Sequence, residues 1–306
     1  MLTPRQLKER YLSGENISQI LREMKAQQLN DEEIIETSYD IQTGLYVDMM
    51  QIKEKAEKRE ELTKEIADTI NDLGVKLQTI MEPGVGEATT LSGVLNGLDV
   101  DVSSYAFDIS WSRVAYSRLW LASAGVTLPE RIKLFTASML NIPLPTSSID
   151  VVYTAHAIEP NAGYEAAIIQ ELHRVTRHYL ILVEPAYELA SAEARKRMVE
   201  HRYCKGLAGK ANHLGYNVIK HELCQSIEND MNPPAMTIIE KGDTAYDYPR
   251  YVCPKYKTDL KALGGMLYSP ESLAVYPVLN GIPCLRIENA IVASKYEEIV
   301  GGTDGS

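Results

Sequence analysis

Two glycines at alternate positions, Gly84 and Gly86, close an apolar run from Leu77 to Met81 and stand just before a helical one from Thr89. That order reads as strand, sharp turn, helix start. Glycine lets the backbone bend there and lets a ligand approach without a Cβ in the way. About twenty-six residues after Glu82, a second apolar run, Tyr105 to Phe107, ends in Asp108. An acid at the tip of the next strand is placed to hold the two hydroxyls of a ribose. A turn pair in any α/β protein is the plainer reading of the glycines, and Asp108 at this spacing weighs against it. The expected class is α/β, with a parallel sheet and a nucleotide-type ligand at one edge.

These residues resemble the class I S-adenosylmethionine-dependent methyltransferases. The first motif of that family is an acid followed by G-x-G-x-G; Glu82, Gly84 and Gly86 match it, and Ala88 takes the place of the third glycine. The oxidoreductase pattern G-x-G-x-x-G would need a glycine that Glu87, Ala88 and Thr89 do not supply. Phe107, Asp108, Ile109 and Ser110 resemble the second motif, and the stretch from Phe135 to Tyr153 resembles the adenine-side loop and fourth strand. At Ser138, beside Met139, the family often carries an aspartate that bonds the adenine amine; here a hydroxyl or a backbone carbonyl must do so. The resemblance covers roughly residues 70 to 240. It implies a seven-stranded doubly wound Rossmann-like sheet, S-adenosylmethionine as cofactor, and Thr154 in the cofactor-facing set. Tyr39 and Tyr46 resemble a segment that crosses the cofactor and closes its pocket; an interhelical packing pair is the equal alternative.

Residues 1–70 read as a helical extension, with apolar spacing of three and four around Leu7 and Ile17, a cap at Asn30, and a charged helix from Gln51. The 306-residue chain carries a formal charge of −11, which disfavours a nucleic-acid substrate. No apolar run is long enough to span a membrane, and Met1 to Gln6 lack the core of a signal peptide, so a cytoplasmic location is expected. Cys204, Cys224, Cys253 and Cys284 are widely separated and are expected to be reduced.

Methyl transfer is an in-line displacement, so the protein must position, desolvate and, for a hydroxyl acceptor, remove a proton. In the loop after the fourth strand, His156 is the candidate general base or substrate ligand, with Glu159 second. Asn161, Glu184 and Tyr187 are candidates for holding the acceptor; capping is the alternative for Asn161 and Glu184. Arginines 195, 197 and 202 are read as a solvated face in preference to an anion site. Residues 71–242 are expected to form the methyltransferase domain.

Residues 250–298 resemble a small zinc-ribbon family that includes the activator subunit of several tRNA and protein methyltransferases. The Tyr276 to Pro283 signature is kept, while the knuckle positions hold Cys253, Tyr256, Ser269 and Ser272. One cysteine cannot make a tetrahedral zinc site, so no metal is expected, and packing of Tyr256, Leu260, Leu267, Tyr276 and Ile282 must hold the unit together. The leading expectation is a methyltransferase acting on a small polar acceptor, such as a sugar or sugar nucleotide, at oxygen or nitrogen. RNA or protein methylation, and a noncatalytic cofactor-binding or scaffold role, are the alternatives.

Overall fold

The computed structural model describes residues 2–24, 31–126, 130–226, 229–242 and 244–301. Seven strands form the central sheet: β1 (Thr79–Pro83), β2 (Ser103–Asp108), β3 (Ile132–Thr136), β4 (Ile149–Ala155), β5 (Thr176–Pro185), β6 (Asn217–Leu223) and β7 (Pro234–Glu240). Their order is β3-β2-β1-β4-β5-β7-β6. Strands β1 to β5 pair in parallel, and β7 runs antiparallel to both β5 and β6. The near-continuous apolar runs of β1, β4 and β5 follow from this, because a parallel sheet is covered on both faces. One buried Asp150 carboxylate fixes the start of β1 by accepting the Gln78 and Thr79 N–H groups at 2.9 and 3.0 Å.

Helices α1 (Pro4–Leu12), α2 (Ile17–Met24), α3 (Asp31–Ile41), α4 (Leu45–Met49) and α5 (Lys53–Asn71) precede the sheet. Thr3 and Gln6 form a reciprocal capping box at α1, and Leu7, Ile17, Leu21 and Ile34 make a small core of their own. The cap expected at Asn30 lies outside the described residues. The charged helix α5 turns Leu62, Ile66 and Ile70 into the main core, beside α6 (Thr89–Gly97). Helix α3 is bolted to the start of α7 (Trp111–Ser123): Asp40 accepts from the Ser110 hydroxyl at 2.8 Å, the Ser112 hydroxyl at 2.9 Å and the Ser112 N–H at 3.2 Å. Glu87 holds α4 by accepting the Gly44 and Val47 N–H groups at 2.9 and 2.8 Å.

On the other face of the sheet run α8 (Glu165–Val175) and α10 (Leu207–His213), while α9 (Ala192–Glu200) packs in a small cluster with Tyr187 and Tyr203. The chain then builds β8 (Lys261–Leu263), β9 (Met266–Ser269), β10 (Ala274–Tyr276), the hairpin β11 (Val278–Leu279) and β12 (Ile282–Pro283), β13 (Ile291–Val292) and α11 (Tyr296–Gly301). Strands β8, β9, β10 and β13 make a four-stranded antiparallel sheet. Residues just after β12 extend the central sheet at its β3 edge: Thr136 and Cys284 form a parallel bridge, and the Leu285 N–H donates to the Thr136 carbonyl at 2.8 Å. An otherwise open edge is thereby capped.

Three of the four knuckle positions meet in this unit. The Cys253 sulfur lies 3.9 Å from the Ser272 hydroxyl and 3.7 Å from the Tyr276 hydroxyl, and Ser269 accepts the Ser272 N–H at 3.2 Å. Leu260, Leu267, Tyr276 and Ile282 pack inward, but Tyr256 does not: it is 48% exposed. Its ring lies beside the Lys255 ammonium on the surface, where a phenol keeps its hydroxyl hydrated. All four cysteines are buried, unbridged thiols. No helix among the described residues is long and apolar enough to cross a membrane.

Candidate active site

The strand order reverses between β1 and β4, and in an open α/β sheet the crevice beyond the carboxyl ends of such strands is where ligands bind. A cavity lies there, lined by Gly84, Gly86, Glu82, Asp108, Ile109, Ser138, Met139, Tyr39, Tyr46, His156 and Asn161, among others. Eleven of the residues expected to hold cofactor or acceptor, or to act chemically, are thus brought to one place. Gly84 sits at φ +69°, and a Cβ there would come within 2.5 Å of the Ala157 Cβ and 2.9 Å of the Met139 Cε. The first glycine is what lets the β1 turn pass under the loop that follows β4. Ala88 holds the left-handed conformation, φ 60°, that a third glycine would adopt with less strain.

Burial sets the charge states of the acids. Glu82, 2% exposed, accepts from the Tyr153 hydroxyl at 2.7 Å, and burial pushes its pKa up to about 8. Asp108 accepts the Gly86 N–H at 3.0 Å and the Ser110 N–H at 2.9 Å; burial raises it, against the pull of Arg113 and these N–H groups. Each Asp108 oxygen has a further lone pair for a hydroxyl.

The loop after β4 is held from behind. His156 is in the left-handed region at φ 55°, its N–H donating to the Val183 carbonyl at 2.9 Å. Glu184, at the end of β5, accepts the N–H groups of Ala157, Ile158 and Glu159 at 2.9, 3.0 and 3.2 Å. Its carboxylate therefore secures the loop and lines neither cavity described here, and burial raises its pKa to about 7. The His156 Nδ1 meets Glu159 Oε2 at 3.1 Å, and the Asn232 amide donates to that same oxygen at 3.0 Å. Burial alone would lower His156; the hydrogen bond and charge of Glu159, with the charge of Glu184, outweigh it and leave the imidazole above its usual 6.5. Glu159 is lowered despite burial, by the His156 and Asn232 contacts.

A second, open cleft of about 800 Å³ adjoins the first, lined by Tyr11, Glu15, Glu159, Glu200, Arg202 and Tyr203, among others. Tyr39 and Pro160 line both spaces. His156 faces the inner cavity and Glu159 the outer cleft, so their pair spans the dividing wall.

Three expected site residues lie elsewhere. Thr154 is fully buried within β4. Tyr187 packs with Ala190 and Met198, its ring against Arg195 and Lys205, outside both spaces. Glu184 supports the loop in place of touching an acceptor. Asn161 does line the inner cavity, while its amide donates to the Ala157 carbonyl at 3.2 Å within the loop; it does not cap α8, whose N-cap position is Tyr164. Tyr39 and Tyr46 both face the Arg113 guanidinium, 4.6 and 4.8 Å from the ring centroids. Arg113 itself is 3% exposed, and its Nη2 has no hydrogen-bond partner among the described residues.

Sequence reasoning missed Glu32, Arg59 and Arg113, all of which line the inner cavity. Arg59 sits on α5 and donates to the Thr90 hydroxyl at the start of α6 at 2.6 Å. Each reads as one more charge on a helix face, and only the packing of that helix brings it to the cavity.

No family model matches the chain, and no curated protein matches it. Solved structures share its chain path. A SAM dependent methyltransferase from Aquifex aeolicus is 14% identical over 63% of this chain and 97% of that one, with a TM-score of 0.44. The cyclase SpnF is 13% identical over 60% and 81%, at 0.48. A chain of the complex between the Haloferax volcanii Trm112 methyltransferase activator and a candidate methyltransferase is 11% identical over 66% and 97%, at 0.49. These likenesses concern the path of the chain, and the chemistry of this protein rests on its own residues.

Proposed function

We propose that the protein is an S-adenosylmethionine-dependent methyltransferase acting on a small polar acceptor. The observation that carries this reading is the His156–Glu159 pair, set in the wall between a glycine-turn cavity and an open polar cleft.

The cavity's side chains fit the cofactor's functional groups in kind. Asp108 would take the ribose diol, and Glu82, buried at the turn, would face a cationic group. Arg59 and the first turn of α6 would take a carboxylate. The cofactor, when bound, supplies an electrophilic methyl group. The protein's part is to hold the acceptor in line, exclude water with Tyr39, Tyr46 and helix α3, and accept a proton at the His156 imidazole. Glu159 orients that ring and stabilises its cationic form, while Glu184 fixes the loop that carries both.

The cleft offers three phenol rings, Tyr11, Tyr39 and Tyr203, with carboxylates and one arginine. Flat rings and hydroxyl-bonding acids suit a polyhydroxylated or amine-bearing small molecule, a sugar or sugar nucleotide being the first class to try. A charge of −11 opposes an RNA acceptor. Methyl-labelled cofactor with panels of sugars, sugar nucleotides and small amines tests the proposal. Acceptor-dependent release of S-adenosylhomocysteine that is lost in His156→Ala supports it; binding without any transfer across the panels contradicts the enzymatic reading.

A further inference from the structure

Ser138 stands at the carboxyl end of β3, and it is 4% exposed. Its hydroxyl oxygen accepts the Leu140 N–H at 3.0 Å, so its proton is free to point elsewhere. It points to the Glu32 carboxylate on α3, with which it makes a short hydrogen bond. Through Oε1, Glu32 thus lies against the end of β3, although it is 106 positions distant in the chain.

Three features make this carboxylate more than a surface charge that happens to touch a serine. Glu32 lines the inner cavity. The same cavity is lined by the apolar side chains of Phe107, Ile109, Ala137, Met139 and Leu140, which is what a flat heteroaromatic ring needs on its faces. The other cavity acids, Glu82, Glu87 and Asp108, belong to the β1 turn and the β2 tip. Glu32 is also held in place: Asp40, two turns on in α3, is tied to Ser110 and Ser112, and Glu36 pairs with the 4% exposed Arg286.

A ribose held by Asp108 at the β2 tip directs its base toward the next strand outward, β3. We infer that Glu32 is the group that reads the base, its carboxylate accepting a hydrogen bond from the exocyclic amine of adenine while Ser138 holds it in register. This rests on the proposed cofactor reading and deepens it. The recognition is supplied by the helical extension, not by the β3 loop, so binding of the purine also fastens α3 over the site. A carboxylate accepts from the 6-amino group of adenine; it repels the 6-oxo group of hypoxanthine.

The test is a pair of affinities measured by calorimetry, for S-adenosylhomocysteine and for S-inosylhomocysteine, which differ at that position. The intact wild-type protein should prefer the amino compound by about thirtyfold, the usual worth of one hydrogen bond to a charged group. Glu32→Gln, whose amide can accept or donate, should reduce that preference to about threefold or less, mainly by losing the charge repulsion. Glu32→Ala should lose it too, and adding Ser138→Asp should restore it by placing a carboxylate on the other side of the same contact. Unchanged discrimination in Glu32→Gln and Glu32→Ala, with S-adenosylhomocysteine still bound, overturns the role of Glu32 and leaves the cofactor reading intact. Failure of the folded wild type to bind either compound removes both.

Discussion

Asp108 and Gly84 do different work at neighbouring strand ends, and their substitutions should fail differently. Asp108→Ala removes the acceptor for a ribose diol without adding bulk. S-adenosylhomocysteine affinity should fall at least about tenfold, with a stability loss of about 1–3 kcal/mol from the Gly86 and Ser110 N–H groups left without an acceptor, and calorimetry on the folded variant checks the binding. Gly84→Ala forces a methyl against Ala157 at a positive φ, so it should cost about 2–4 kcal/mol of stability, read by chemical denaturation. His156 makes a prediction about pH. Its raised pKa means that the imidazole is protonated, and so useless as a base, until the pH climbs above 6.5. Turnover should therefore rise along a limb centred above 6.5, and Glu159→Gln should move that limb to lower pH, because only the charge of Glu184 then opposes burial. A limb unmoved by Glu159→Gln would contradict the assignment. The turn acids, both glycines and His156 were legible in the sequence because each belongs to a short local pattern at a strand end. Glu32 and Arg113 were not, since their neighbours in the chain are unremarkable and only tertiary packing aims them inward.

Among the elements, α3 and α4 decide whether the cavity is open. In the structure they lie closed upon it, and the cavity measures about 110 Å³, below the range typical of a ligand site. Movement of α3 and α4 is therefore the expected way to enlarge it for a cofactor. Asp40 is the principal fastening, with three hydrogen bonds to Ser110 and Ser112. Asp40→Ala should raise amide exchange through residues 31–49 by about tenfold or more while the sheet stays protected, as hydrogen-exchange mass spectrometry would show. Unaltered exchange would mean that the extension is held by other contacts. The helical character of this region was readable from apolar spacing. Its attachment was not, because Asp40 follows Tyr39 in a segment read for its rings alone. Those rings reach the cavity wall, and each also faces Arg113, which ties them to the start of α7.

Across the whole molecule, the last fifty or so residues build their own small sheet and fasten it to the β3 edge of the central one. Leu285 bonds to β3, Ile282 enters the main core, and Lys257 reaches Glu171 on α8 at 2.8 Å. Removing residues 250–301 would strip that cover and expose the β3 edge. The shortened chain should aggregate or melt more than about 5 °C lower, in contrast to a free-standing appendage, whose loss would leave the melting temperature unchanged. The sequence signature around Tyr276 to Pro283 pointed to a compact unit there, and of the lost knuckle positions Ser269 and Ser272 lie by Cys253 while Tyr256 does not. What it did not announce is the contact with β3, since one backbone bridge and two buried side chains leave no periodic trace.

The central claim is that the crevice beyond β1 and β4 holds S-adenosylmethionine. Titrating the intact protein with S-adenosylhomocysteine by calorimetry at pH 7 and pH 9 tests it. Micromolar binding is expected. Proton release should accompany it at pH 7, since a cation beside Glu82 would draw down a pKa near 8, and should fade at pH 9, where that carboxyl is already ionised. A folded protein that binds neither S-adenosylhomocysteine nor S-adenosylmethionine at millimolar concentration would contradict the account.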